Sequence, residues 1–178
     1  MADRIRERTK KLTVCAMLCA LGVVLMALGS LIEVLDLSTA ALASLLCIYA
    51  VIELGGFYPW AIWLVTSALS LLLLPLKTPA LFYGLFLGYY PILKEKLERL
   101  PRLPSLLLKL VTFHGALGIL YLILRLFLPS ALAEYGQKWL LPVLYGMLLV
   151  CFLLYDLALT RLISFYLFRL RARFRMHQ

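Results

Sequence analysis

The sequence predicts an all-α membrane protein with six transmembrane helices, on three observations. Of its 178 residues, 64% are hydrophobic and only 15% are charged, and the mean hydropathy is +0.97. A soluble domain is nearer to half apolar and a quarter charged, so lipid must cover the excess apolar surface. The apolar residues form runs of about 20, the length that a spanning helix needs, and basic residues cluster beside the ends of these runs. We therefore expect residues 1–178 to form a single integral membrane domain.

The first half of the chain is predicted to hold three helices. Residues 1–11 form a basic tail, and the run from Leu12 to Ile32 is long enough to cross the membrane. A basic start before an apolar run also resembles a signal peptide. This run exceeds the usual h-region and lacks a clean cleavage site, so we expect a retained helix. Helix two runs from Leu37 to Leu54 and ends at Gly55-Gly56, and helix three runs from Phe57 to Leu74.

The second half is predicted to hold three more helices. Helix four, from Ala80 to Leu93, is the shortest and could be re-entrant instead of spanning. A basic cytoplasmic loop follows at 94–104. Helix five runs from Ser105 to Leu128, and helix six runs from Trp139 to about Thr160. Residues 161–178 form a basic, aromatic tail that we expect to extend helix six into the headgroup region.

The distribution of lysine and arginine predicts the topology. Of the 18 basic residues, 15 lie in or near the N-terminal tail, the loop at 94–104 and the C-terminal tail, and 3 lie on the opposite side. Because cytoplasmic loops carry the excess of lysine and arginine, both termini and this loop are predicted to be cytoplasmic. Termini on the same side require an even number of crossings, which favours six spans over five.

Two pairs of small residues, each four positions apart, are predicted to be helix-packing faces. Ala16 and Ala20 lie on one face of helix one, and the two neighbouring cysteines are expected to make that face smoother. Gly84 and Gly88 form a similar pair in helix four. Small residues let a second helix approach closely in lipid, so each face either binds a partner or packs internally. For the glycine pair, internal packing is favoured.

Charged residues inside membrane helices are costly and suggest function. The four that stand within helices or near their ends are Glu53, His114, Arg125 and Asp156. By depth, Glu53 can pair with Lys94 or Lys109, and Asp156 can pair with His114 or Arg161. Such pairs would fix the register of the helices. For His114, binding of a ligand or a proton is the alternative.

No enzyme activity is expected from the sequence. It contains neither a P-loop G-x-x-x-x-G-K-[ST] nor an H-E-x-x-H zinc motif, and we expect no cofactor and no metal. The four cysteines lie inside apolar runs without a C-x-x-C pair, which is typical of small buried residues; they are Cys15, Cys19, Cys47 and Cys151. The basic residues that give the net charge of +9 lie beside the ends of apolar runs, which indicates contact with membrane lipid headgroups and not with nucleic acid.

Two stretches resemble known proteins. RTKKLTVCAMLCALGVVLMALGSLI at 8–32, with Ala16 and Ala20 as its A-x-x-x-A pattern, resembles the first helix of the substrate-binding S components of energy-coupling-factor (ECF) vitamin transporters. LSTAALASLLCIYAVIELGGFYPWAIWLV at 37–65 is similar in texture to their second and third helices. Separately, GYYPILK at 88–94 resembles an element in a group of uncharacterised small bacterial six-helix membrane proteins.

The resemblance to S components implies a function. It implies a multi-pass protein in a bacterial plasma membrane that binds a micronutrient on its outer side. Ala16 and Ala20 would dock on a membrane coupling subunit, and separate ATPases would supply energy, because this chain has no nucleotide site. The residues expected to bind the small-molecule substrate are Glu33, Asp36, Tyr83, His114, Arg125 and Tyr145.

Two alternatives stay open. The chain could be a non-catalytic scaffold or assembly factor that acts through a basic cytoplasmic patch of Lys94, Lys96, Arg99 and Arg102. It could instead be an autonomous channel, secondary transporter or membrane enzyme. In that case His114 and Asp156 would be its working groups.

Overall fold

The computed structural model describes residues 2–32, 35–98, 100–127 and 140–166, and within these ranges the chain is all-helical. The helices are α1 (Ala2–Ser30), α2 (Asp36–Glu53), α3 (Tyr58–Leu73), α4 (Thr78–Phe82), a π-helical segment (Tyr83–Leu87), α5 (Tyr90–Leu97), α6 (Arg102–Phe127) and α7 (Leu140–Phe165). Four of them contain spans long and apolar enough to cross a membrane; the spans are Arg4–Ser30, Asp36–Glu53, Leu103–Ile123 and Pro142–Phe165. The predicted all-α membrane class is confirmed at this level. Helix α3, with 16 residues, is apolar but shorter.

Helix α1 is longer than predicted, because the basic residues before Leu12 are helical as well. The helix begins at Ala2 and has 29 residues. The prediction of a separate polar tail treated charge as a break in the helix. Lysine, arginine and glutamate are good helix formers, and the carboxylate of Glu7 pairs with the Lys11 ammonium one turn later, at 3.1 Å.

Residues 1–116 form one compact unit and residues 117–178 form another, so each is described by itself. In the first unit, α1 packs against both α2 and α3. At the middle of α1, Cys15 and Cys19 are buried in a cluster with Ala50 of α2 and Ile62 of α3. Near the end of α1, Gly29 lies against the side chain of Thr39. Helix α2 therefore runs opposite to α1, and α3 runs opposite to α2.

The turn between α2 and α3 is made by Gly55 and Gly56, as predicted. Both residues have φ of +61°, a left-handed conformation that side chains with a Cβ rarely adopt. Helix α3 then starts with Pro59 in its first turn, where the missing N–H costs no hydrogen bond.

The predicted helix four is not a single helix from Ala80 to Leu93. Helix α4 passes into the π segment, in which the Gly88 N–H donates to the Tyr83 carbonyl at 2.8 Å, and α5 starts again at Tyr90. Pro91 has no N–H to give to the carbonyl four residues earlier, so a regular helix cannot run through this point. The break leaves three short pieces that all pack against α2, and α4 and the π segment also pack against α3.

The second unit contains the end of α6 and all of α7. Only 11% of the α7 span is buried, and its exposed residues are mainly apolar, such as Leu153 and Leu154. Its buried residues include Phe152 and Leu159, seven positions apart and therefore on one side of the helix. A helix with this pattern fits a lipid environment.

Candidate functional site

The GYYPILK stretch lies in a cluster of aromatic rings between α3, the π segment, α5 and α6. We call it the aromatic cluster; its members are Trp60, Trp63, Phe86, Tyr89, Tyr90 and Phe113. Phe86 is central, with ring centroids 5.1 Å from Tyr90, 6.4 Å from Tyr89 and 6.2 Å from Phe113. Trp63 lies edge-on to Tyr89 at 6.0 Å and to Trp60 at 5.8 Å. Each such pair contributes about 0.5–1.5 kcal/mol beyond area burial, so the cluster fixes four elements relative to one another.

Gly88 permits the closest approach in this cluster. A Cβ at this position would lie 2.5 Å from Cδ1 of Trp63 and 2.9 Å from the ring of Tyr83. The indole Nε1 of Trp63 donates a hydrogen bond to the Gly84 carbonyl at 3.1 Å. Both glycines of the predicted G-x-x-x-G pair thus contact or approach α3. This supports the interpretation that the pair packs internally.

Lys94, the last residue of GYYPILK, is fully buried. Its exposed fraction is 0%, and its Nζ lies 3.5 Å from Oε1 of Glu98, whose side chain is 39% exposed. In α5, Tyr90, Pro91 and Leu97 are buried on the same side as Lys94. A buried ammonium costs several kcal/mol unless it is paired and hydrogen-bonded, and the Glu98 carboxylate one turn later supplies a partner for Lys94.

This burial corrects the predicted basic patch. Lys94 cannot contribute to a solvated cytoplasmic surface, whereas Lys96 is exposed and its Nζ lies 5.8 Å from the ring centroid of Trp60. Arg99 and the side chain of Arg102 lie outside the described residues. The stretch was read as a charged loop because of its composition. Of the predicted loop 94–104, residues 94–97 instead form the second half of the eight-residue helix α5, which turns Lys94 inward and Lys96 outward, and α6 already begins at Arg102.

The small-residue face of α1 is open. Ala16 and Ala20 are both exposed, while Cys15 and Cys19 are buried at 8% and 7%. The sequence suggested that the cysteines extend the alanine face, but they are buried on another side of α1. Successive helix positions are 100° apart, so the cysteines point toward α2 and α3, and the alanines point away from them.

Three of the predicted substrate-binding residues are described in the first unit, and each lies on a different helical element. Asp36, the first residue of α2, is 8% exposed, and Tyr83 of the π segment is 1% exposed. His114 is exposed on α6, and its Nδ1 lies 2.8 Å from the Leu110 carbonyl one turn earlier. His114 therefore does not face the interior that contains the other two. Glu33 lies outside the described residues.

The other predicted residues lie at helix ends or on exposed surfaces. In the second unit, Arg125 is exposed in the last turn of α6, and Tyr145 of α7 is 41% exposed. Asp156 is half-buried within the α7 span, and its carbonyl accepts a hydrogen bond from the Thr160 hydroxyl at 3.0 Å. In the first unit, Glu53 is exposed as the last residue of α2, so it is not a deep membrane charge.

Sequence reasoning missed a row of buried hydroxyls on α3. Thr66, Ser67 and Ser70 are 1%, 9% and 0% exposed, and Ser44 of α2 is also fully buried. Ser67 donates to the Trp63 carbonyl at 2.7 Å. The signal was present in the sequence as three hydroxyl residues at positions i, i+1 and i+4 of an apolar helix. Small hydroxyl residues allow close helix packing in lipid, and Thr66 lies against Gly22 of α1.

No family model, curated protein or solved structure matches this chain. Over the residues that the structure describes, the class it defines is an all-helical protein with four helices suited to a membrane.

Proposed function

We propose that this protein is the substrate-binding subunit of an ECF-type micronutrient importer in a bacterial plasma membrane. The observation that carries the proposal is the open alanine face of α1. Ala16 and Ala20 are exposed, although the opposite side of the same helix is packed into the core. The exposure of these two alanines supports the proposal, because the resemblance to S components implies docking through Ala16 and Ala20.

The physical argument rests on how helices associate in lipid. Lipid tails are as apolar as leucine, so association depends on close van der Waals contact between helices. Two alanines one turn apart leave a shallow strip along α1 into which a second helix can fit. Because the buried side of α1 is fixed by Cys15, Cys19 and Met26, a partner can bind the alanine face without displacing the core.

The proposed transport cycle needs a bundle that moves as one body. The aromatic cluster joins α3, the π segment, α5 and α6, and α1 packs on α2 and α3. A coupling subunit that holds α1 could therefore tilt the whole first unit when separate ATPases supply energy. Asp36 and Tyr83 are the described substrate candidates that face the interior of this unit, and they are the first choices for contact with a small ligand.

The proposal is tested with Ala16→Leu/Ala20→Leu. Two leucines fill the strip, so we expect the variant to insert and fold but to lose at least 90% of its copurification with a membrane coupling subunit and two ATPases. Leu21→Phe/Leu28→Phe is the matched control, because it also adds bulk to α1 at exposed positions, and Leu21 and Leu28 lie roughly 80–140° around the helix from Ala16 and Ala20. Recovery of the complex at the wild-type level with the alanine variant would refute docking through this face. Recovery of a different stable partner from wild-type protein would favour the scaffold hypothesis instead.

A further inference from the structure

Two hydroxyls of α3 are buried in the first unit without a hydrogen bond among the residues that the structure describes. They belong to Thr66 and Ser70, which are 1% and 0% exposed and lie one turn apart on the same side of the helix. The hydroxyl of Ser67 differs, because it donates to the Trp63 carbonyl four residues earlier at 2.7 Å. A buried hydroxyl without a partner carries a desolvation cost, so the packing around Thr66 and Ser70 is less stable than it would be with both hydroxyls bonded.

Hydroxyls in helices ordinarily bond to the backbone of their own helix. Thr39 and Ser67 each donate to the carbonyl four residues earlier. For Thr66, the acceptor at this spacing is the Ile62 carbonyl, which α1 contacts instead through Sγ of Cys19 at 3.9 Å. A carbonyl oxygen has two lone pairs, and the helix itself uses one of them. The thiol therefore takes the acceptor that the Thr66 hydroxyl would otherwise use.

Helix α1 also fixes the side chain of Thr66. A Cβ at Gly22 would lie 3.1 Å from Cγ2 of Thr66, so the backbone of α1 lies directly on this methyl group. The Thr66 hydroxyl lies beside the Cys19 thiol but makes no hydrogen bond of ordinary geometry with it. While α1 is in place, the hydroxyl is therefore held in a position without a partner.

The two contacts of α1 differ in strength. Against α2, Gly29 approaches Thr39 so closely that an added Cβ would overlap the threonine side chain, and the Thr39 hydroxyl is bonded to the Leu35 carbonyl at 3.0 Å. Against α3, α1 contributes a glycine and a thiol, and a thiol is a weak donor. The contact with α2 is also the more extensive of the two. Helix α1 is thus held firmly by α2 and loosely by α3.

We propose that the contact between α1 and α3 is a gate, which opens while α1 stays packed on α2. When α1 moves away, the Cys19 thiol leaves the Ile62 carbonyl, and the Thr66 hydroxyl rotates to donate to it. Ser70 donates in the same way to the Thr66 carbonyl. Opening therefore replaces one weak thiol contact and two unbonded hydroxyls with two ordinary hydrogen bonds, which lowers its free-energy cost. The open gate exposes the row of hydroxyls on α3 to a small ligand, and this inference depends neither on a coupling subunit nor on a particular substrate.

The test follows the reaction of Cys19 with N-ethylmaleimide in nanodiscs, in a protein whose other three cysteines are alanine, by mass spectrometry. Cys19 is 7% exposed, so its reaction reports movement of α1. Thr66→Val keeps the methyl contact with Gly22 and removes the unbonded hydroxyl. It should therefore stabilise the closed gate and slow the reaction about tenfold. Thr66→Ser keeps the hydroxyl and should not slow the reaction. Ser67→Ala is the matched control, because the neighbouring hydroxyl is already bonded, and its effect should stay below about twofold.

A second protein, with Cys47 as its remaining cysteine, separates the gate from unfolding. Cys47 is 0% exposed, and its Sγ lies 3.8 Å from the Pro59 carbonyl, in the contact of α2 with α3 that stays closed when α1 moves. Cys19 should therefore react at least about tenfold faster than Cys47. Equal rates for the two thiols would refute the gate and indicate reaction through unfolding of the whole unit. An unchanged rate for Cys19 in Thr66→Val would refute the exchange of partners at the Ile62 carbonyl.

Discussion

Replacing Gly88 with alanine tests whether the aromatic cluster holds the first unit together. The backbone at Gly88 has φ of −76° and ψ of −42°, which any residue adopts, so alanine suffers no backbone strain. The added methyl would instead meet Trp63 at 2.5 Å and Tyr83 at 2.9 Å. Overpacking of this kind costs about 1–3 kcal/mol. Loss of the hydrogen bond from Trp63 to Gly84 adds about 1 kcal/mol, and the higher helix propensity of alanine returns up to about 1 kcal/mol. The net expectation is about 1–4 kcal/mol of destabilisation, with a central value of about 2–3 kcal/mol.

The assay is thermal unfolding in mild detergent, followed by tryptophan fluorescence. A loss of 2–3 kcal/mol in a chain of this size lowers the melting temperature by about 5–10 °C. Gly118→Ala is the control, because a Cβ at Gly118 meets nothing within 4 Å, and it should leave the melting temperature unchanged or slightly raised. If Gly88→Ala unfolds at the wild-type temperature with unchanged fluorescence, the packing of Trp63 on Gly88 does not stabilise the fold.

Three further predictions concern the side chains around and beside the aromatic cluster. In folded protein, the new thiol of Lys94→Cys should resist a water-soluble maleimide and that of Lys96→Cys should react, because Lys94 is 0% exposed and Lys96 is exposed. Equal labelling of the two variants would contradict the burial of position 94. Lys96→Gln should destabilise the fold by about 0.5–1 kcal/mol through loss of its contact with Trp60 at 5.8 Å, and in Trp60→Leu the same change should have no effect. Ser70→Ala should leave the free energy of unfolding in detergent unchanged or raise it, since the Ser70 hydroxyl is buried without a hydrogen bond among the described residues. Ser67→Ala loses a hydrogen bond of 2.7 Å and should cost about 1 kcal/mol. A larger loss of stability for Ser70→Ala than for Ser67→Ala would refute this difference between the two hydroxyls.

Composition and run length were sufficient to predict the helical membrane class and the Gly55-Gly56 turn. Both depend on local properties: an apolar run of about 20 residues has few ways to satisfy its backbone in lipid except as a helix, and consecutive glycines favour a left-handed turn. The start of α1 was misplaced because charge was treated as a helix boundary. Glu7 and Lys11 show why this fails, since a charged segment with i,i+4 pairing propagates a helix outward into the headgroup layer.

The candidate site was less predictable, because it depends on which side of each helix faces the core. Lys94 and Lys96 are two positions apart in a charged stretch, and only the position of α5 against the rest of the unit makes one buried and the other exposed. The π segment likewise depends on contacts with Trp63 that lie some 20 positions away in the chain. Ala16 and Ala20 were identified as a face from their spacing, but spacing alone could not show that this face is open.

The turn at Gly55 and Gly56 restricts which residues can replace the glycines by backbone handedness and not by side-chain size. A Cβ at either position would meet nothing within 4 Å, so there is ample room for a side chain, yet φ of +61° places an L-residue in the conformation that its own backbone disfavours by about 1–2 kcal/mol. A D-alanine introduced by semisynthesis would occupy the same site without strain, because this conformation is its mirror-image helical minimum. The turn between α2 and α3 thus requires a left-handed backbone at two residues, although a side chain at either position would contact nothing. A list of side-chain contacts would not show this requirement.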